Sequence, residues 1–213
     1  MKTLVKTLFA SALTAIVLSS SAFASAVTDK KNNQPEISST IDFNKVVITG
    51  NARVELVQCD KQSVAIYQDY NKKLTKIMQK GDKLYISSTE LEPVVIVVFM
   101  KDLQRIDAAN TATVTTRGRF SLNVLQVFLK DEATAYVNAD AGSLYTVIKD
   151  SSALNLKGST NEHTLVKNKV AKLKMEQFAA VTTTVAAQEV QYQLPGYRNR
   201  MLKDTIIAER IIR

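Results

Sequence analysis

The chain of 213 residues contains one cysteine, one histidine and no tryptophan. A single thiol, Cys59, cannot build a disulfide framework, and no cysteine pair is spaced to hold zinc. A single histidine, His163, cannot form a histidine metal cluster, and no Ser/His/Asp spacing supports nucleophilic catalysis. Glycines number six and prolines three, and the glycines form no phosphate-cradling loop. Aromatic residues make up 7% of the chain, too little stacking surface for specific nucleic-acid recognition. These absences remove most cofactor and metal chemistry, so no cofactor is expected.

What is present begins with an export pattern. Lys2 and Lys6 precede a run of small and aliphatic residues from Leu8 to Leu18, followed by Ser19-Ser20-Ser21 and Ala22-Phe23-Ala24. This is the layout of a secretory signal peptide over residues 1–24, cut before Ser25. The run falls short of the roughly 20 apolar residues that a spanning helix needs, so no transmembrane segment is expected in the mature chain. Periplasm, cell surface or medium is the expected destination. The formal charge of +8 includes two lysines from the signal and no acid, which leaves 8 minus 2, or +6, in the mature chain. A spread positive surface favours anionic partners such as an envelope polymer, an acidic polysaccharide or phosphate-rich headgroups, with a surface protein as the other partner class. Cys59 reads as a small strand residue, with intermolecular pairing as the other option.

Residues 25–40 are polar and without period, centred on Lys30-Lys31-Asn32-Asn33-Gln34-Pro35, and read as a flexible lead-in. From Asp42 the pattern changes to apolar pairs set two apart: Val46 and Ile48, Val54 and Leu56, Val64 and Ile66, Leu84 and Ile86, then Val94, Ile96 and Val98. These predict half-buried strands separated by turns at Gly50-Asn51, Asp60-Lys61 and Gly81-Asp82. From Asp102 a ladder takes over. Ile106, Val127 and Ile148 stand 21 residues apart, as do Ala112, Ala133, Leu154 and Met175, then Val114, Ala135 and Leu156, and finally Asn110, Asp131 and Ser152. A unit of this length with internal alternation cannot bury its apolar face alone, and stacking on its neighbours is the remedy. The expected fold is all-β, a right-handed parallel β-helix-like stack with coils of about 21 residues. A β-sandwich is the alternative, although it gives no reason for a fixed offset. After Val170 the register loosens into longer strands through Val190 to Leu194. Residues 196–213 carry five Lys or Arg together with Ile206, Ile207, Ile211 and Ile212, and read as a basic cap or tail.

Particular segments also carry a likeness. Asp42-Phe43-Asn44-Lys45-Val46-Val47-Ile48-Thr49-Gly50-Asn51, Val54-Glu55-Leu56-Val57-Gln58, Ser63-Val64-Ala65-Ile66, Gly81-Asp82-Lys83-Leu84-Tyr85-Ile86 and the later coils resemble the family named putative auto-transporter adhesin, head GIN domain. The likeness spans about Ile41 to Gln193, within a head domain placed at residues 41–195. It implies an exported bacterial protein with a β-helix-like stack and adhesin-like binding, and it brings no catalytic or ligand residue with it. The chain departs from many members in its few glycines, where Gly-Ser-Gly turns are frequent, and in its basic tail.

Three sites remain to be weighed. Asp131 and Glu132, with Asp150 and Asn110 on neighbouring coils, could form a carboxylate site for Ca²⁺ or for acid/base work. The same residue types turn a chain at a corner by bonding to nearby backbone, which is the favoured reading. Lys167, Lys169, Lys172 and Lys174 form either a solvated face or an anion-binding strip. His163, in Ser159-Thr160-Asn161-Glu162-His163, reads as a solvated loop residue. The expected function is thus a non-catalytic, adhesin-like envelope or surface module, with a carbohydrate-active lyase or hydrolase as the alternative.

Overall fold

The structure, a computed structural model, describes residues 42–186. The signal segment 1–24, the lead-in 25–40, the strand expected through Val190 to Leu194 and the basic segment 196–213 lie outside the described residues. Among the described residues the fold is all-β, with 70% in strands and no helix.

Alternating aliphatic residues produce the first strands. They are β1 (Lys45–Gly50), β2 (Ala52–Gln58), β3 (Ser63–Ile66), β4 (Thr75–Lys80), β5 (Lys83–Ser88) and β6 (Val94–Met100). Val46, Ile48, Val54, Leu56, Leu84 and Ile96 are all buried, as period-two alternation over a half-buried sheet requires. Gly50 and Gly81 turn the chain at φ +79° and +60°. Then follow β7 (Arg105–Ala109), β8 (Thr113–Arg117), β9 (Phe120–Leu129), β10 (Thr134–Ile148), β11 (Ala153–Lys167) and β12 (Lys172–Ala186).

Pairing is parallel almost throughout. β1 lies between β5 and β7, and β2 between β6 and β8. β9 joins β7 to β10, while β10 also pairs with β8 and with β11, and β11 with β12. Antiparallel pairing is confined to β3 on β6 and β4 on β5. A path of ten strands runs from β3 to β4 as a curled open sheet, and β11 and β12 continue from β10 off this path. The two facing antiparallel sheets of a β-sandwich are not what these pairings build.

The offset of 21 residues holds for one step only. Ile106 pairs with Val127, and Thr113 with Thr134, at that spacing. Thereafter Val127 pairs with Thr146, and Ala135 with Leu154, at 19. Ile148 therefore stands beside Leu129 and Lys167, two places away from its expected row. The reason is local. Four residues separate Thr115 from Phe120, whereas two separate their partners Tyr136 and Ala139, so the corner at Gly118, φ +77°, holds a two-residue insertion. The inward faces survive this shift, because a change of two residues preserves the side-chain parity of a strand. Ile106, Val127 and Ile148 are all fully buried.

Small residues sit where large ones need space. Across one interior row Phe120 pairs with Ala139, Ala139 with Gly158, and Gly158 with Phe178, so two rings flank two small residues. The apolar interior extends from Phe43 to Ala171 as one cluster, against which Leu173, Met175 and Phe178 pack in part.

Candidate functional site

Outward positions on these strands are mostly polar or charged, and one outward row that crosses six strands is largely apolar. Val47 of β1 pairs with Asp107 of β7, and the row runs on through Phe128 of β9, Val147 of β10, Val166 of β11 and Ala186 of β12. Neighbouring strands lie about 4.8 Å apart, so Phe128, Val147, Val166 and Ala186 form a continuous strip in which Val147 is 9% exposed, and Asp107 parts it from Val47. A groove of about 700 Å³ runs along it.

Phe128 is fixed from two sides. Its ring is tilted against Tyr145, with centroids 5.8 Å apart, and the Arg105 guanidinium carbon stands 4.0 Å over its centroid. Such a cation over a ring face is attracted by the ring quadrupole. Arg105 also donates from Nε to Asp107 Oδ2 at 2.8 Å and from Nη2 to Oδ1 at 3.0 Å. The one acid of the strip is thus charge-matched in a forked pair.

The rim is basic. Lys130 and Lys149 follow the paired residues Leu129 and Ile148 at the ends of the neighbouring strands β9 and β10, and both line the groove. Both are exposed, and among the described residues no carboxylate is in ion-pair contact with either. Lys167 ends β11 at this corner, where its Nζ donates to the Asn168 carbonyl at 3.0 Å, and Lys169 lies in the exposed turn that follows. Lys172 and Lys174 stand on β12 past the corner, exposed and in register with Ala153 and Asn155. The four lysines singled out by sequence are therefore split between two faces.

The acidic candidates are corner residues. Asn110, Asp131 and Asp150 have left-handed backbones, with φ of 60°, 59° and 57°. The Asn110 N–H donates to Asp131 Oδ2 at 3.0 Å, and the Asp131 N–H donates to Asp150 Oδ2 at 3.1 Å. Each aspartate thus braces the preceding turn of the row, and Asp150, rather than Ser152, completes it. The side chain of Glu132 is exposed, and its N–H donates to the Asn110 carbonyl at 3.0 Å. Among the described residues no group of three or more metal-ligating side chains comes together.

His163 is not in a loop. It lies in β11, 1% exposed, with Nε2 2.9 Å from Thr146 Oγ1 and its ring edge-on to Phe178 at 5.5 Å. Nδ1 is buried without a partner, and burial pushes the pKa of the ring down. The polar run before it misled because a strand of 15 residues turns across two faces, and Thr160 and His163 both point inward there. Cys59 lies just past β2, half-buried, with its N–H donating to the Met100 carbonyl at 2.9 Å.

Residues 42–188 match the model of a family described as "Putative auto-transporter adhesin, head GIN domain". The chain belongs to this family. Its fold is similar to that of a putative adhesin from Bacteroides fragilis, at 16% identity and a TM-score of 0.59, covering 69% of this chain and 72% of that one. A putative adhesin from Parabacteroides distasonis is similar at 15% identity and a TM-score of 0.53, covering 70% and 75%. No curated protein matches the chain in sequence. The family's description names an adhesin head domain and no enzyme activity.

Sequence reasoning missed the strip and the two rim lysines of this head domain. A signal was present: Lys130-Asp131 and Lys149-Asp150 repeat one dipeptide at an interval of 19, the pairing offset of β9 and β10.

Proposed function

We propose that this head domain is an exported, non-catalytic binding module that attaches to an anionic envelope or surface polymer through the basic corner of its stack. The observation that carries the reading is the recurrence of Lys130, Lys149, Lys167 and Lys169 at that corner on successive coils, with no described carboxylate in ion-pair contact. Lys172 and Lys174 extend the positive surface around the corner. Family membership supports an adhesin-like role and a place outside the cytoplasm, and the pattern of residues 1–24 supports export with cleavage before Ser25. The layout we propose is a lead-in over 25–40, a head domain over 41–195 and a basic cap or tail over 196–213. The stack itself we take to be a right-handed parallel β-helix, since parallel in-register strands repeat at 19 to 21 residues. Against an enzyme on this fold stands the use of Asp131 and Asp150 as backbone acceptors at corners. Among the described residues no helix is long and apolar enough to cross a membrane.

Retention of the mature protein on an immobilised acidic polysaccharide tests the reading. Exposed charges are screened beyond roughly 8 Å at physiological ionic strength, so retention should fall as salt rises. Charge reversal at Lys167, Lys169, Lys172 and Lys174 should lower it further. Salt-insensitive retention would remove the basic surface as its cause. Cleavage of the polysaccharide that disappears in Asp131→Asn or Asp150→Asn would replace the module with an enzyme.

A further inference from the structure

We propose that the outward groove over Val47, Phe128, Val147 and Val166 holds the chain of a long-chain fatty acid, with its carboxylate at Lys130 and Lys149. This goes beyond polymer binding by the basic corner and does not depend on it.

The floor comes first. An outward row on a sheet facing water is normally polar, because period-two alternation places the apolar residues inside. Here the row from Val47 to Ala186 is apolar except for Asp107, and Arg105 neutralises that acid through two hydrogen bonds. Arg105 and Tyr145 hold Phe128 in place by ring contacts, so the floor is ordered before any ligand arrives. Preorganisation of this kind lowers the cost of binding.

Shape comes next. The row crosses six strands, or five spacings of about 4.8 Å, which makes a strip of about 24 Å. One leaflet of a bilayer's hydrocarbon core is about 15 Å deep, half of about 30 Å. Lys130 stands beside β9, the third of these strands, so a chain headed there has three spacings, or about 14 Å, of unbroken apolar strip from Phe128 to Ala186. The volume of about 700 Å³ lies within the ordinary range of small-molecule sites.

Charge selects the occupant. The rim offers two lysines without a carboxylate partner among the described residues. The chain's own segment 196–213 carries five Lys or Arg against Asp204 and Glu209, and a second copy of the mature chain carries a net +6. Both would bring positive charge to a positive rim. An apolar chain ending in a carboxylate complements floor and rim together.

Fluorescence titration of the full mature protein with a dansyl-labelled long-chain fatty acid, displaced by unlabelled oleate, tests this. Saturable uptake is expected, and it should not be displaced by acetate or phosphate. Lys130→Glu combined with Lys149→Glu should weaken the fatty acid about tenfold while leaving an uncharged alkyl glycoside of the same chain length unchanged. Phe128→Ser combined with Val166→Ser should weaken both ligands, with circular dichroism checking that each variant is folded. Uptake that is indifferent to both pairs of substitutions, or displaced by acetate, overturns the proposal. So does absence of uptake by the full chain, the result expected if residues 187–213 cover the groove. Concentration-dependent self-association that is abolished by Phe128→Ser, without uptake, would give the groove to a second copy and overturn it equally. The two proposals share Lys130 and Lys149, but polysaccharide retention is read in a separate assay through charge reversal at Lys167, Lys169, Lys172 and Lys174, so either proposal can fail alone.

Discussion

The carboxylate of Asp150 accepts a hydrogen bond from the backbone N–H of Asp131 at 3.1 Å, linking the turn after β10 to the turn after β9. Asp131 repeats the same bond to Asn110 at 3.0 Å, so one carboxylate ties each of these turns to the next. All three residues have left-handed backbones, a conformation that costs most L-residues roughly 1–2 kcal/mol and that Asn and Asp tolerate best.

From this follows a contrast at Asp131. Replacement by Ala removes the acceptor and leaves a residue poorly suited to φ 59°, and the expected loss is about 1–2 kcal/mol. Asn keeps an acceptor oxygen and the turn preference, so Asp131→Asn should cost less than half of that. Thermal melts of the two variants against the parent decide the matter. Equal losses would show that the corner does not depend on this geometry.

How far the fold was legible depends on parity. Alternation identified the strands and their inward faces, because Val46, Val54, Leu84, Ile106 and Val114 obey period two regardless of the coil they belong to. The coil length was legible for one step, from Ile106 to Val127, and then hidden by the insertion at Gly118. A ladder built on 21 matched residue types by chance at Leu156 and Ile148, since a stacked interior is aliphatic in every row. The site was less legible still. Phe128 and Val147 look like strand residues whichever face they occupy, and only the pairing of β9 with β10 puts them side by side on the outside. His163 was hidden by its polar neighbours, because nothing in the local sequence tells that β11 continues through them.

Gly158 offers a second test. Its φ is +104°, and a Cβ placed there would collide with the Ala139 carbonyl of the neighbouring coil. Gly158→Ala should destabilise by about 2 kcal/mol or more, combining an unfavourable backbone with a forced shift of β10. Gly118 also has a positive φ, +77°, but open space surrounds its missing Cβ. Gly118→Ala should therefore cost only about 1 kcal/mol, from backbone strain alone. For a domain of this size 1 kcal/mol is about 2–4 °C in Tm, so melts resolve the difference. A larger loss at Gly118 would mean that the close contact at Gly158 relaxes freely.

The last prediction concerns acid. His163 sits in β11 beside Thr146 and Phe178, and burial holds its pKa below the usual 6.5. In the unfolded chain the ring is in water and takes a proton at higher pH than it does in the folded chain, so stability rises with pH across this window. Its full contribution is present above about 6.5 and is lost as pH falls from there through the depressed folded value. Asp82, whose pKa is lowered from 3.8 by the hydrogen bond from Lys45, acts at lower pH, outside this window. Melting temperature should accordingly decline as buffers pass from about pH 7.5 to about pH 5. His163→Gln retains a partner for Thr146 and cannot take up a proton, so the decline should flatten in that variant even if its Tm is lower throughout. An unchanged slope would assign the acid sensitivity to other groups and leave His163 as a packing residue only.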